Sequence, residues 1–125
     1  MHHYLAALEK YAVFTGRAGR AEFWWFFAVH IAALLIFTHL AQTAAANVAS
    51  SIETLFTIYV LATALPFIGA SYRRLHDTGR AGWKHWLIIV PVFGWFLLIL
   101  WWSEASQPGR NQYGDAPAPQ LKDKN

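Results

Sequence analysis

Three intervals without a formal charge, residues 23–52, 54–72 and 85–103, constrain this chain more than any other feature, and each is 19 residues or longer. About 18 largely apolar residues already suffice for a helix to cross a bilayer. Of the whole chain 56% is hydrophobic and only 14% charged, against roughly 25% charged in an average soluble protein. The apolar residues stand in blocks, without the period of a half-buried helix or strand. These observations define a one-domain, all-α, polytopic membrane protein. A cleaved signal peptide does not fit the N-terminus. The first apolar run starts after twenty-two residues, is too long for an h-region and is followed by two more. With no cysteine there is no disulfide, thiolate metal site or cysteine nucleophile.

Tyr4, Leu5, Leu8, Tyr11 and Ala12 make one apolar stripe over residues 2–14, predicting a short amphipathic helix in the membrane interface. Thr15-Gly-Arg-Ala-Gly19 breaks it. A first span is predicted over about 23–40, with Trp24 and Trp25 at headgroup level. A second is predicted over about 52–72, kinked near Pro66, with Thr63 or a neighbouring helix covering the freed carbonyl. A third is predicted over about 85–102. Trp83 and Trp86 stand at one end of it and Trp101 and Trp102 at the other, about 24 Å apart at helical rise, which reads as two aromatic belts. Pro91 and Gly94 in its middle leave a re-entrant hairpin open as the alternative. Residues 1–103 form the membrane domain on this reading, and 104–125 a polar Pro/Gly-rich tail, extended or disordered from Ala116. Thr15–Gly19 recurs as Thr78-Gly-Arg-Ala-Gly82, a repeated elbow, arginine and aromatic anchor at the entry to the membrane.

Lys10, Arg17 and Arg20 precede the first span, and Arg73, Arg74, Arg80 and Lys84 lie between the second and third. The connector 41–53 has no Lys or Arg, so the positive-inside rule places the N-terminus and the 73–84 loop in the cytoplasm. Three full crossings then put the tail outside, and a hairpin returns it to the cytoplasm.

The interval Ser71–Trp86 is the polar centre of the chain. Arg17, Arg20, Arg73, Arg74 and Arg80 gather at one membrane face, where anionic lipid attracts each by about 1 kcal/mol and guanidinium can grip phosphate bidentately. They are candidate lipid or phosphate ligands; anchoring and topology alone would also account for them. Glu22, His76 and Asp77 lie at similar depth and fit a buried polar network, with Glu22 pairing to Arg73 or Arg74. Asp77-Thr78-Gly79 reads as the turn that ends the helix of the second span. His30 and His39 are the strongly polar groups of the first span, and such groups are functional candidates in a membrane. Nine residues apart, they point about 180° from one another and do not form a relay. One His-Asp pair is too few ligands for a catalytic metal, and no nucleophile–base–orienter set is present. No cofactor, metal or catalytic residue is assigned, and membrane-proximal basic residues do not point to nucleic acid.

Gly16-Arg17-x-x-Arg20-x-Glu22-Phe23-Trp24-Trp25, then Arg73-Arg74-Leu75-His76-Asp77-Thr78-Gly79-Arg80-Ala81-Gly82-Trp83, then Gly109-x-Asn111-x-Tyr113-Gly114 resemble, in order and spacing, the bacterial inner-membrane family catalogued as domain of unknown function 805. The resemblance implies a small polytopic inner-membrane protein and supplies no activity. Lys84 replaces the family's usual second aromatic, and Asp115 stands one place early in the tail motif. The leading expectation is a non-enzymatic structural or accessory protein that contacts anionic lipid and supports envelope integrity or a larger membrane complex. Self-association is expected through Gly69, Ala70 and the alanines of 41–46. A small oligomeric channel or transporter is the alternative, and a membrane enzyme acting on lipid phosphates the third reading.

Overall fold

The computed structural model describes residues 13–117. The amphipathic helix expected over 2–14 falls outside these residues except for Val13 and Phe14, which are not helical. Two long helices carry the fold: α1, Arg20–Thr43, and α2, Ala46–Asp77. At 1.5 Å per residue they measure about 36 and 48 Å, enough to cross a hydrocarbon layer of about 30 Å. Both qualify as membrane-spanning by length and composition. Ala44 and Ala45, both in extended backbone, make the sharp turn between them. Among the described residues there is no strand, only an isolated bridge between Asn111 and Gly114.

The outer faces of α1 and α2 are apolar and open, with Leu35 64% and Leu61 71% exposed. In water, apolar exposure on that scale would be a liability, whereas lipid covers it at no cost. The inner face of α1 carries Phe23 and Phe26, which pack with Ala70, Leu75, Leu98 and Trp102 into the core. Pro66 stays inside a continuous α2, and the Thr63 hydroxyl donates to Tyr59 O at 2.7 Å, not to the carbonyl of Ala62. Gly69 and Ala70 are buried within the chain, and a Cβ at Gly69 would press on the Val13 carbonyl at 3.1 Å. They are therefore not available for helix–helix contact with a second copy.

The third apolar run corrects the expectation of one helix over 85–102. It folds as a 3₁₀ helix, Gly82–Ile89, and a short helix α3, Phe93–Ser103. Between them Val92 takes φ 63° and ψ −66°, and Phe93 N–H donates to Pro91 O at 2.7 Å, a γ-turn of the rare positive-φ kind. The two legs are about equal in length, roughly 16 Å each at 2.0 and 1.5 Å per residue. They lie so close that a Cβ on Gly94 would collide with the Leu87 carbonyl. The backbone groups freed by the turn are taken up inside the hairpin. Gly94 N–H reaches Val90 O at 3.1 Å, and Trp95 Nε1–H reaches Ile88 O at 2.7 Å.

The hairpin ends where it began. Arg80, just before it, makes a double ion pair with Glu104, just after it, at 2.8 and 3.0 Å. The two pairs of tryptophans therefore lie at one end of the hairpin and not at opposite ends of a helix. Their separation of about 24 Å presupposed a continuous helix, which Pro91 and the Val92 turn prevent. The guanidinium of Arg80 and the ammonium of Lys84 both sit over the Trp101 ring, at 5.0 and 5.6 Å from its centroid. Trp24, at the entry to α1, donates to the Trp102 carbonyl at 3.2 Å.

Candidate functional site

The last turn of α2 places Arg73, Arg74, His76 and Asp77 within five residues, so helical spacing brings Asp77 beside Arg74 three positions earlier. The helix stops there through a Schellman motif. Gly79 takes φ 80°, its N–H donates to His76 O, and Arg80 N–H donates to Leu75 O at 2.9 Å. The expected Asp77-Thr78-Gly79 turn is thus the C-cap of α2. Gly16 in the echoed pentapeptide takes φ 87°. Both copies of the repeat put a left-handed glycine before their arginine, and Arg17 turns in to the polar centre whereas Arg80 turns to Glu104 at its rim.

Asp77 is that centre. It is fully buried and receives Arg17 Nε–H at 2.9 Å, an Nη1–H of Arg74 and the Ser106 hydroxyl. A charge removed from water costs several kcal/mol unless it is paired and its remaining hydrogen-bonding capacity is used. Here it is used. Arg74 Nε–H donates to Trp102 O at 2.9 Å, Nη1–H also to Ala18 O, and Nη2–H to Glu104 O. Arg17 Nη1–H donates to Gly109 O at 2.6 Å and Gly114 O at 3.2 Å, and Nη2–H to Gln107 O. The tail segment 107–114 forms a ring of carbonyls around the Arg17 guanidinium. Arg73, 1% exposed, pairs with Glu22 at 2.7 Å and reaches Val13 O through Nε at 3.2 Å, leaving Nη2 without an acceptor.

His76 ties the tail down a second time. Its ring stacks on Tyr113 with centroids 4.0 Å apart and planes 8° from parallel. Its Nδ1–H donates to Gly16 O at 3.0 Å, and its carbonyl accepts from Asn111 at 2.9 Å. The residue lies beyond the charge-free stretch of α2, and burial lowers its pKa from the ordinary 6.5, with the Gly16 bond opposing. Burial also lowers the pKa of Arg74, opposed first by Asp77, and Arg20 adds to the lowering.

The structure thus brings Arg17, Arg73, Arg74, Glu22, His76 and Asp77 into one buried collar and closes it with Gly109, Asn111, Tyr113 and Gly114. Arg80 joins it at the rim through Glu104. Arg20 stands apart. It is exposed, and it alone of the described arginines has neither an acid nor a hydrogen-bond acceptor. His30 belongs to a separate layer inside the helix pair, where it stacks with Tyr59 and Phe67 and shares a hydrogen bond with the Tyr59 hydroxyl. His39 is exposed on another face of α1. The sequence reading missed Ser106, Gln107 and Glu104. Glu104 alone carried a signal, as the first charge after an apolar run that begins next to Lys84. The carbonyls that hold Arg17 and Arg74 carry none, since every residue has one. Also missed was the buried contact of His85 Nδ1 with the Ser71 hydroxyl at 2.7 Å, which fastens the hairpin to α2.

A family model described as a protein of unknown function, DUF805, matches residues 11–115, which include the whole collar and its tail. The chain belongs to the DUF805 family. Among DUF805-like relatives, the inner membrane protein YhaH of Escherichia coli strain K12 is 36% identical over 122 residues, covering 98% of this chain and 99% of the relative. The inner membrane protein YhaI of the same strain is 34% identical over 119 residues, covering 94% and 96%. No solved structure matches the chain. With two long apolar helices and these relatives, this DUF805 protein is a helical bacterial membrane protein.

Proposed function

We propose that the protein is a non-enzymatic structural or accessory component of the bacterial inner membrane. In this reading α1 and α2 cross the bilayer, the third apolar segment enters and leaves on one side, and the arginine collar closes the assembly at the cytoplasmic face. A leg of roughly 16 Å reaches about halfway through a hydrocarbon layer of about 30 Å. With the tail returned to the collar, Arg110 joins the seven basic residues already assigned to the cytoplasmic side, and the 41–53 connector still has none.

One observation carries the reading. Arg17 and Arg74 spend their donors on Asp77 and on carbonyls of the tail and hairpin, and Arg73 is committed to Glu22. These groups are occupied in closing the fold and are not presented to a substrate. Arg20 remains exposed at headgroup depth, where contact with anionic lipid is favourable. Self-association falls to the alanine-rich end at 41–46, because Gly69 and Ala70 are already packed.

Reconstitution of the full chain into liposomes tests this. The expected result is that entrapped dye stays inside and lipid phosphates remain intact. Dye release or carriage of a solute would establish the channel or transporter reading. Phosphate release abolished by His76→Ala or Asp77→Asn would establish the enzyme.

A further inference from the structure

A groove opens toward the lipid between α1 and the hairpin, with a volume of about 290 Å³, lined by Phe27, Ile88, Trp95, Leu98, Ile99 and Trp102. Its wall is apolar, with one exception. Trp102 is 3% exposed, and its indole N–H has no acceptor among the described residues. A buried donor left unpaired costs about 1–3 kcal/mol.

Toward the cytoplasmic end the groove is bounded by Trp24, whose ring lies 5.3 Å from Phe27 and 6.4 Å from Trp102. On its other side Trp24 lines a shallow depression with Arg20, Ala21, Trp25 and Ala28. Arg20 is an uncompensated cation in an unfavourable place. It occupies the first turn of α1, where the helix dipole already favours negative charge. It also repels Arg74, adding to the lowering of that guanidinium's pKa. An anion at Arg20 relieves both effects at once.

We infer that this surface is a binding site for one anionic phospholipid, its phosphate at Arg20 and an acyl chain in the groove beneath Trp24. The site deepens the proposed lipid contact by giving it an address, and it rests on the reading of the hairpin as membrane-inserted. The other cations at this level are occupied: Arg80 by Glu104, and Lys84 by the face of Trp101. The charge at Arg20 therefore selects the headgroup, and the groove holds the chain.

The test uses the full chain in neutral detergent and native mass spectrometry, with phosphatidylglycerol and phosphatidylcholine as probes in equal amounts. The expected result is one retained phosphatidylglycerol per chain and little phosphatidylcholine. Arg20→Gln reduces phosphatidylglycerol retention about fivefold, the factor that corresponds to one surface cation. Arg110→Gln, in the exposed tail, leaves it unchanged. Ile99→Trp, which fills the groove from a half-exposed position, lowers retention with Arg20 intact, and its helicity by circular dichroism verifies the fold. Inorganic phosphate at millimolar concentration does not displace the lipid, because the chain contributes to binding. Equal retention of both lipids, or retention indifferent to Arg20→Gln, overturns the inference, as does displacement by free phosphate. A protein that retains both lipids equally in an intact, non-leaking liposome would refute this site and leave the proposed function standing.

Discussion

Replacing Asp77 with Asn asks whether the collar holds the molecule together. The side chain is fully buried, as are the side chains of both arginines that bind it. Asn preserves volume, so no cavity opens and the packing contribution is close to zero. What changes is charge and donor count. An amide offers one oxygen and an NH₂ in place of two oxygens. One carboxylate oxygen now receives Arg17, while the other receives Arg74 and Ser106. Either orientation of the amide therefore turns an N–H toward a guanidinium N–H. Two buried cations also lose their common anion. Removing one partner of a buried pair costs about 3–5 kcal/mol, a large share of a total stability of about 5–15 kcal/mol. Unfolding in detergent micelles, followed by tryptophan fluorescence, reads this directly. Tryptic cleavage after Arg110 reads it locally, since Arg17 holds the flanking carbonyls of Gly109 and Gly114. The expected result is a loss of at least 3 kcal/mol together with faster cleavage at Arg110. Glu104→Gln provides the contrast, because its pair with Arg80 is partly exposed and is worth about 1 kcal/mol or less. A loss below about 1 kcal/mol for Asp77→Asn, with unchanged cleavage, would refute the reasoning.

Three other perturbations probe the hairpin and the tail. Gly94→Ala places a methyl against the Leu87 carbonyl and is expected to cost at least 1–3 kcal/mol, seen as a lowered unfolding midpoint and freer collisional quenching of Trp95. Val92→Gly is expected to raise stability by roughly 1 kcal/mol, because Val92 is 74% exposed and holds a positive φ that costs a β-branched residue strain; an unchanged or lowered midpoint would count against the γ-turn. His76 gives a pH dependence whose sign follows from its lowered pKa. The released chain binds a proton at His76 more readily than the folded one, so tail anchoring is complete above about pH 6.5 and weakens as pH falls below it. Cleavage at Arg110 should accelerate between pH 7 and 5.5, and His76→Gln should flatten that profile.

The two long apolar helices were legible because charge and apolar length act through the solvent, independently of tertiary detail. The turn at Gly79 was legible because glycine chemistry is local, whereas Glu22 could be given only Arg73 or Arg74 as its partner, since the pair joins residues 51 apart. The third segment was not, for a physical reason. The distance from Trp86 to Trp102 follows from the sequence only if the helix between them is unbroken, and Pro91 with Gly94 decides that question through tertiary contact. Gly94 is there because the Leu87 backbone passes against it, and Leu87 belongs to the other leg. The tail was read from composition as having too little apolar surface to bury a core of its own. It gains order by another route, supplying backbone carbonyls to Arg17, and backbone acceptors leave no trace in residue identity. The echo at Thr15 and Thr78 identified two elbows, and only the fold showed Arg17 turned in to the buried Asp77 and Arg80 turned to Glu104 at the end of the hairpin.

The central claim is that the chain crosses the membrane twice and returns its hairpin and tail to the cytoplasmic collar. The chain contains no cysteine, so single reporters at Ala45, Lys84 and Gln112 can be labelled with an impermeant maleimide in spheroplasts and in inverted vesicles. The account predicts that Ala45→Cys reacts from the outside, and that Lys84→Cys and Gln112→Cys react only in inverted vesicles. Labelling of Gln112→Cys in intact spheroplasts, with Lys84→Cys protected, would mean three crossings and would contradict it.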